Sequence, residues 1–129
     1  GKLNKNIYGI EIPGIREVEL NVVIKTELRK RSEIQGVFVT SNVQRVARVF
    51  DRLEGEKPKL VGYDLTEENL HYLQKGIIDF LIGQKPEQQG YDAIYLLFDH
   101  LVLNRKVKVM NYSPLDILTR ENIQYYKQL

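Results

Sequence analysis

Two rhythms of apolar residues alternate along this chain, and their alternation is the main structural signal. Short runs that are almost continuously apolar, IYGIEI (7–12), IQGVFVT (34–40), KLVGYD (59–64) and IIDFLIGQ (77–84), have the length and β-branched content of buried strands. Between them the apolar residues recur at helical spacing. From Ile15 to Arg31, the residues Ile15, Val18, Val22 and Val23 form one stripe, widened by Leu20, Ile24 and Leu28. Val43, Val46, Ala47 and Phe50 form another, with Gln44, Arg45, Arg48 and Arg52 on other faces. The punctuation agrees with these boundaries. Pro13 and Gly14 end the first strand, and Gly55 and Pro58 stop the second helix. Thr66 is an N-cap, with Leu65 and Leu70 placed as a hydrophobic staple and Gly76 placed to end the helix. A further helix begins after Pro86, runs from about Glu87 to Leu103, and carries Tyr91, Ile94, Phe98, Leu101 and Val102 on one face. VKVMNY (107–112) reads as a strand, Pro114 breaks the chain, and a short LDILT precedes a terminal helix from about Arg120.

Strands and helices that alternate without a Gly/Ser linker predict an α/β fold, a parallel sheet with helices on both faces. The 129 residues suit one domain with a genuine core. Composition adds little beyond exclusions. Apolar residues make up 43% and charged residues 28%, the balance of an ordinary soluble globular protein. No run approaches the roughly 18 apolar residues of a membrane helix, and this sequence shows no secretory signal. Without cysteine there is no disulfide, thiol nucleophile or thiolate metal site, and His71 and His100 lack the spacing of a metal pair. No metal, cofactor or catalytic residue is therefore expected. The formal net charge is +2, and the basic cluster KTELRKRS (25–32) complements the dipole at a helix C-terminus without requiring nucleic acid.

In an open parallel sheet, ligands bind beyond the carboxyl ends of the strands. The ends here offer Arg16 near the first; Thr40, Ser41 and Asn42 at the second; Asp64 at the third; and Gln84 at the fourth. One fixed acceptor, one cation, two amides and two hydroxyls suit a neutral polyhydroxylated ligand better than a phosphate. Gln84, which closes a buried apolar strand ahead of Lys85 and Pro86, is a polar choice that the strand does not need, whereas the others have a plainer role open to them. Thr40, Ser41 and Asn42 can cap the following helix, Asp64 can form an Asx-turn, and Arg16 can be a first-turn surface residue. Thr66 and Leu65 already account for the helix start, which leaves Asp64 free to face the crevice.

Enzyme and switch motifs are incomplete. A phosphoacceptor receiver needs further acidic groups after its first strand, where this chain has EIPGIRE, and its fourth strand ends in a hydroxyl residue where this one ends GQKP. No GxGxxG follows the first strand, and Ser41 has neither a GxSxG elbow nor a histidine at any strand end.

GVFVTSN, LVGYD and IDFLIGQKPEQQGYDA, in this order and closed by SPLDILTRENIQYY, resemble the C-terminal part of type I periplasmic-binding-protein domains. The chain is most similar to the sugar-sensing domain of lactose-repressor-type transcriptional regulators. The resemblance implies a ligand cleft between two lobes, with this chain supplying the second lobe's wall. Asp64 then matches an aspartate that binds sugar hydroxyls, and Gln84 a hinge-adjacent glutamine that does the same. Ser41 and Asn42 fall where the family usually has Asn-Asp, a departure at this contact. The family also implies that residues 1–84 and 115–129 form the second lobe, while 85–114 cross to a first lobe preceding Gly1.

The function so implied is an effector domain that couples cleft closure to DNA binding by an N-terminal helix-turn-helix outside this chain. It would be cytoplasmic and homodimeric, with the helix from Val43 to Leu53 at the two-fold interface and Arg45, Arg48 and Arg52 at its rim. The alternative is a periplasmic sugar-binding protein of a transporter, and a more distant one a flavodoxin-like enzyme.

Overall fold

The structure, a computed structural model, describes residues 7–12, 14 and 16–126. Pro13 and Ile15, assigned above to a turn and a helix start, lie outside them. The elements run α1 (Glu17–Lys30), β1 (Gly36–Val39), α2 (Val43–Asp51), β2 (Lys59–Tyr63), α3 (Glu67–Gln74), β3 (Phe80–Gly83), α4 (Pro86–Leu101), β4 (Asp116–Leu118) and α5 (Ile123–Tyr126). The chain is α/β as expected, with a four-stranded, mostly parallel sheet in the order β1-β2-β3-β4. β1, β2 and β3 are parallel, with Val39 beside Gly62 and Tyr63 beside Ile82. β4, the predicted LDILT segment, pairs antiparallel to β3 through Leu81 and Leu118.

Because β1, β2 and β3 are laid down in sequence order, right-handed crossovers put α2 and α3 on the same face of the sheet. That face holds the core: Val43, Ala47 and Phe50 of α2 pack with Leu60, Leu73, Ile78, Leu81, Leu118 and Ile123. α1 joins this layer by packing on α2, with Leu20 buried and Ile24 and Leu28 against the core. The opposite face differs from the expectation of helices on both sides. Phe38, Phe80 and Ile117 are 54%, 43% and 63% exposed, so the described helices leave this apolar face largely open.

Two predicted strands are not strands. Residues 7–12 pair with nothing among the described residues, and Ile7, Tyr8 and Ile10 are exposed; Tyr8 instead lies under the Arg31 guanidinium, 4.7 Å from its ring centre. Residues 107–112 are irregular, with Val109, Met110 and Tyr112 exposed. An apolar run becomes a strand only when another edge satisfies its backbone, and among the described residues neither run is paired with one. α4 forms where predicted yet buries no residue; Tyr91, Ile94, Phe98 and Leu101 remain exposed.

One close approach seats the helical layer. A Cβ on Gly62 would meet the Val43 side chain at 2.5 Å, so α2 sits on β2 only because residue 62 is glycine. At Gly83 the same atom would meet the end of the Leu65 side chain at 2.8 Å, which can rotate away. Gly62→Ala should therefore lower unfolding stability by about 1–3 kcal/mol, more than Gly83→Ala, as read by urea denaturation. Equal effects would show that Val43 yields as easily as Leu65.

Candidate functional site

The carboxyl ends of the three parallel strands form one edge of the molecule. Neighbouring strands lie about 4.8 Å apart, so the three ends span roughly 10 Å, the scale of one sugar ring with its hydroxyls. The residue that follows or nearly follows each strand is held in the left-handed region: Asn42 (φ 56°), Asp64 (φ 74°) and Lys85 (φ 51°). Asparagine and aspartate tolerate this conformation and lysine less so; such backbone clusters at sites that hold ligands.

After β1 comes the turn Thr40–Asn42. Asn42 occupies the N-cap position of α2 and its carbonyl accepts from the Arg45 N–H at 3.0 Å, but its side chain makes no cap hydrogen bond. The capping role expected of these residues is therefore not filled by Asn42's side chain, because capping needs an extended N-cap backbone and Asn42 is left-handed. Ser41 and Asn42 are exposed, with no side-chain hydrogen bond among the described residues.

Asp64 follows β2. Its N–H donates to the Ile82 carbonyl at 3.1 Å, which ties the end of β2 to β3. Its carbonyl accepts from Asn69 Nδ2 at 2.9 Å, and the same amide donates to the Tyr63 carbonyl at 3.2 Å. Thr66 caps α3 as predicted, accepting from the Asn69 N–H at 3.3 Å. With its backbone held from both sides, Asp64 exposes a carboxylate that has no ion pair or hydrogen bond among the described residues.

Asn69 is the residue that sequence reasoning missed. It is 1% exposed, the one buried polar side chain among the described residues. The available signal was its place in the first turn of a helix, three residues after Thr66, on the face that also carries Leu73. An asparagine there is a poor helix former unless its amide has backbone to hold.

Gln84 follows β3 and is half-buried; its carbonyl accepts from Gln89 Nε2 at 2.6 Å, and its side chain is not engaged among the described residues. Beside it, Lys85 pairs with Asp116 at 2.7 Å and links the start of α4 to β4. The Lys85 hydrogen bond, aided by the Tyr126 hydroxyl and opposed by partial burial, holds the Asp116 carboxyl below its usual range.

Arg16 differs from Asp64 and Gln84 in having its side chain engaged with a neighbour. Its guanidinium is 85% exposed and bonded to Glu19 at 2.5–2.9 Å, and Glu19 also accepts from the Arg16 N–H at 3.1 Å, which closes the first turn of α1. The α2 face expected at a dimer rim is similarly occupied: Arg48 is 3.2 Å from Glu17 and 2.6 Å from Glu68, joining α1, α2 and α3. No group of side chains suited to a metal ion occurs among the described residues, and no described helix is long and apolar enough to cross a membrane.

The family model described as periplasmic binding protein domain matches residues 20–106. None of the curated proteins compared matches the chain. Among solved structures, a protein from Bacteroides fragilis, provisionally assigned as a LacI transcriptional regulator, is 34% identical with TM-score 0.72, covering 82% of this chain and 37% of its own. GanP, a glucose-galactose binding protein from Geobacillus stearothermophilus, is 26% identical with TM-score 0.72, covering 84% and 40%. A carbohydrate transporter solute binding protein from Agrobacterium radiobacter, solved with D-arabinose, shares the fold at 22% identity and TM-score 0.68, covering 87% and 39%. The chain thus spans about two fifths of the length of each of these structures.

Two outcomes follow from the site's supports. Asn69→Ala removes both bonds to the Tyr63 and Asp64 carbonyls, and unfolding stability should fall by about 1–3 kcal/mol in urea denaturation; an unchanged midpoint would show that water replaces the amide. The depressed Asp116 carboxyl adds stability that is fully present above the unfolded aspartate value of about 4 and is lost as pH falls through the lower folded value. The melting temperature should therefore drop below about pH 4, and Asp116→Asn should flatten that limb in thermal melts across pH.

Proposed function

We propose, from the premise that this chain belongs to the periplasmic binding protein domain family, that it is one wall of a sugar-binding cleft. Asp64, Gln84, Ser41 and Asn42 are the contacts. The observation that carries this reading is the convergence of Asp64 and Gln84, with side chains uncommitted among the described residues, at adjacent strand ends whose backbones are held by Asn69, Gln89 and the bond to Ile82. Asp64 accepts from sugar hydroxyls, Gln84 donates and accepts, and Ser41 and Asn42 reach the same ligand from the next strand. Arg16, already engaged with Glu19, lies outside this first set and would reach a ligand only by leaving that partner.

In its finer form, the lobe belongs to the effector domain of a lactose-repressor-type regulator. Ligand that bridges two lobes favours the closed state, and this bias couples to DNA binding by a helix-turn-helix elsewhere in the protein. Such a regulator is cytoplasmic, a homodimer and not an enzyme. The likeness to the Bacteroides fragilis protein supports this form. The likeness to GanP supports a second reading equally, a periplasmic sugar-binding protein of a transporter. In either form, residues 85–114 pack on a first lobe, which accounts for the unburied apolar stripe of α4.

A charged hydrogen bond is worth about 1.5–3 kcal/mol and a neutral one about 1, so Asp64 dominates. In calorimetry on the full-length protein with the sugar that a thermal-shift panel selects, Asp64→Ala should weaken binding by roughly 10- to 150-fold and Gln84→Ala by roughly 5-fold. Wild-type affinity in Asp64→Ala would sink the assignment. A DNA mobility shift that responds to the sugar separates the regulator from the transport protein.

A further inference from the structure

The opposite pole of the sheet carries an opening that the sugar reading does not use. A cleft of about 940 Å³ lies between the C-terminal ends of α1 and α2 and the amino ends of β1 and β2. Its lining includes six cationic side chains, Lys25, Arg29, Arg31, Arg52, Lys57 and Lys59, and two acidic ones, Glu54 and Glu56. This is a net +4 in a chain whose formal total is +2.

The dipole at the end of α1 explains basic residues in its last turn, but Lys57 precedes β2 and Lys59 is its first residue, both outside any helix. Nor are the charges all neutralised locally. Arg31 is paired with Glu27 and Lys59 with Asp79, while Arg52 reaches Glu17 only at 4.0 Å. Lys57 lies within electrostatic reach of Asp51, a carboxylate already bonded to Lys75 at 2.6 Å. Lys25 and Arg29 have no ion-pair partner among the described residues. The cations gathered from three segments around one concavity outnumber the two glutamates that line it, and a bound anion would relieve the repulsion that remains. The lining is not wholly polar, since Leu28, Ile34, Leu53 and Pro58 supply apolar surface beside the cations.

We propose that this cleft binds a small phosphorylated organic molecule, its phosphates between Lys25, Arg29, Arg52 and Lys57 and its organic body against Leu28, Ile34, Leu53 and Pro58. Guanidinium groups take phosphate oxygens in bidentate fashion and lysines add point charge, which is the chemistry this cation set can perform. The site lies at the amino ends of the strands and the sugar site at their carboxyl ends, so two ligands can be held together without sharing a residue. The inference does not depend on the sugar assignment.

The test uses full-length protein, ATP and inorganic triphosphate as probes, and sulfate as the control anion at equal ionic strength. Amide shifts on adding ATP should centre on Lys25, Arg29, Ser32 and Lys57, leaving Thr40, Asp64 and Gln84 unmoved. The double variant Lys25→Gln/Lys57→Gln, checked for a wild-type melting temperature, should bind ATP about tenfold more weakly while retaining wild-type sugar affinity. Inorganic triphosphate should bind more weakly than ATP, because it has no body for the apolar wall. Shifts of equal size with sulfate, shifts at the carboxyl ends, unchanged ATP affinity in the double variant, or equal affinity for triphosphate and ATP would each overturn the proposal. A second pair, Arg29→Gln/Arg52→Gln, repeats the test should the first variant fail to fold.

Discussion

The contact between Gly62 and Val43 is the constraint on which the rest of the arrangement depends. A helix can lie flush on a strand only where no side chain stands between them, and at this point even a methyl group would be within 2.5 Å of the Val43 side chain. Because Val43 is the first residue of α2, the close approach also fixes the turn before it. That turn is Thr40–Asn42, and it is brought alongside Tyr63–Asp64 by the pairing of Val39 with Gly62. A packing requirement in the core thus places the polar groups at the edge.

The two ends of the sheet are built in contrasting ways. At the carboxyl end the backbone is held and side chains are left uncommitted: Asn69 fixes the carbonyls of Tyr63 and Asp64, and Gln89 fixes that of Gln84. Side-chain amides used like this stiffen a site without filling it. At the amino end, cations from separate segments are crowded around a concavity. Between the two, Arg48 joins Glu17 and Glu68 across three helices, so the helical layer is connected by charge on its outer side as well as by apolar packing within. These pairs are partly exposed, and their contribution is orientation more than stability.

Much of the fold was legible because helical and strand periodicity are local properties. The apolar stripe of α2, the Thr66 cap and the stop at Gly76, whose φ of 76° a left-handed helix terminus requires, all lie where the residue pattern puts them. The apolar runs at 7–12 and 107–112 had the same local credentials and form no strand, since pairing depends on an edge elsewhere in the chain. For the candidate site, the pattern pointed to strand-end residues, and the structure brings Ser41, Asn42, Asp64 and Gln84 to one edge while giving Arg16 a partner in Glu19. Asn69 escaped notice because its value lies in two carbonyls that only the folded turn presents to it.

The order of amino acids by itself determined the α/β class, the position of the main helices and three of the strands, and the polar character of the strand ends. These follow from the spacing of apolar residues and from turn chemistry, which act within a few residues. Only the tertiary structure decided that β4 runs antiparallel, that one face of the sheet is covered and the other left open, and that Asn42, Asp64 and Lys85 adopt left-handed backbones at one edge. Those features depend on which distant segments meet, and the free energy of such a meeting is not written in either segment alone.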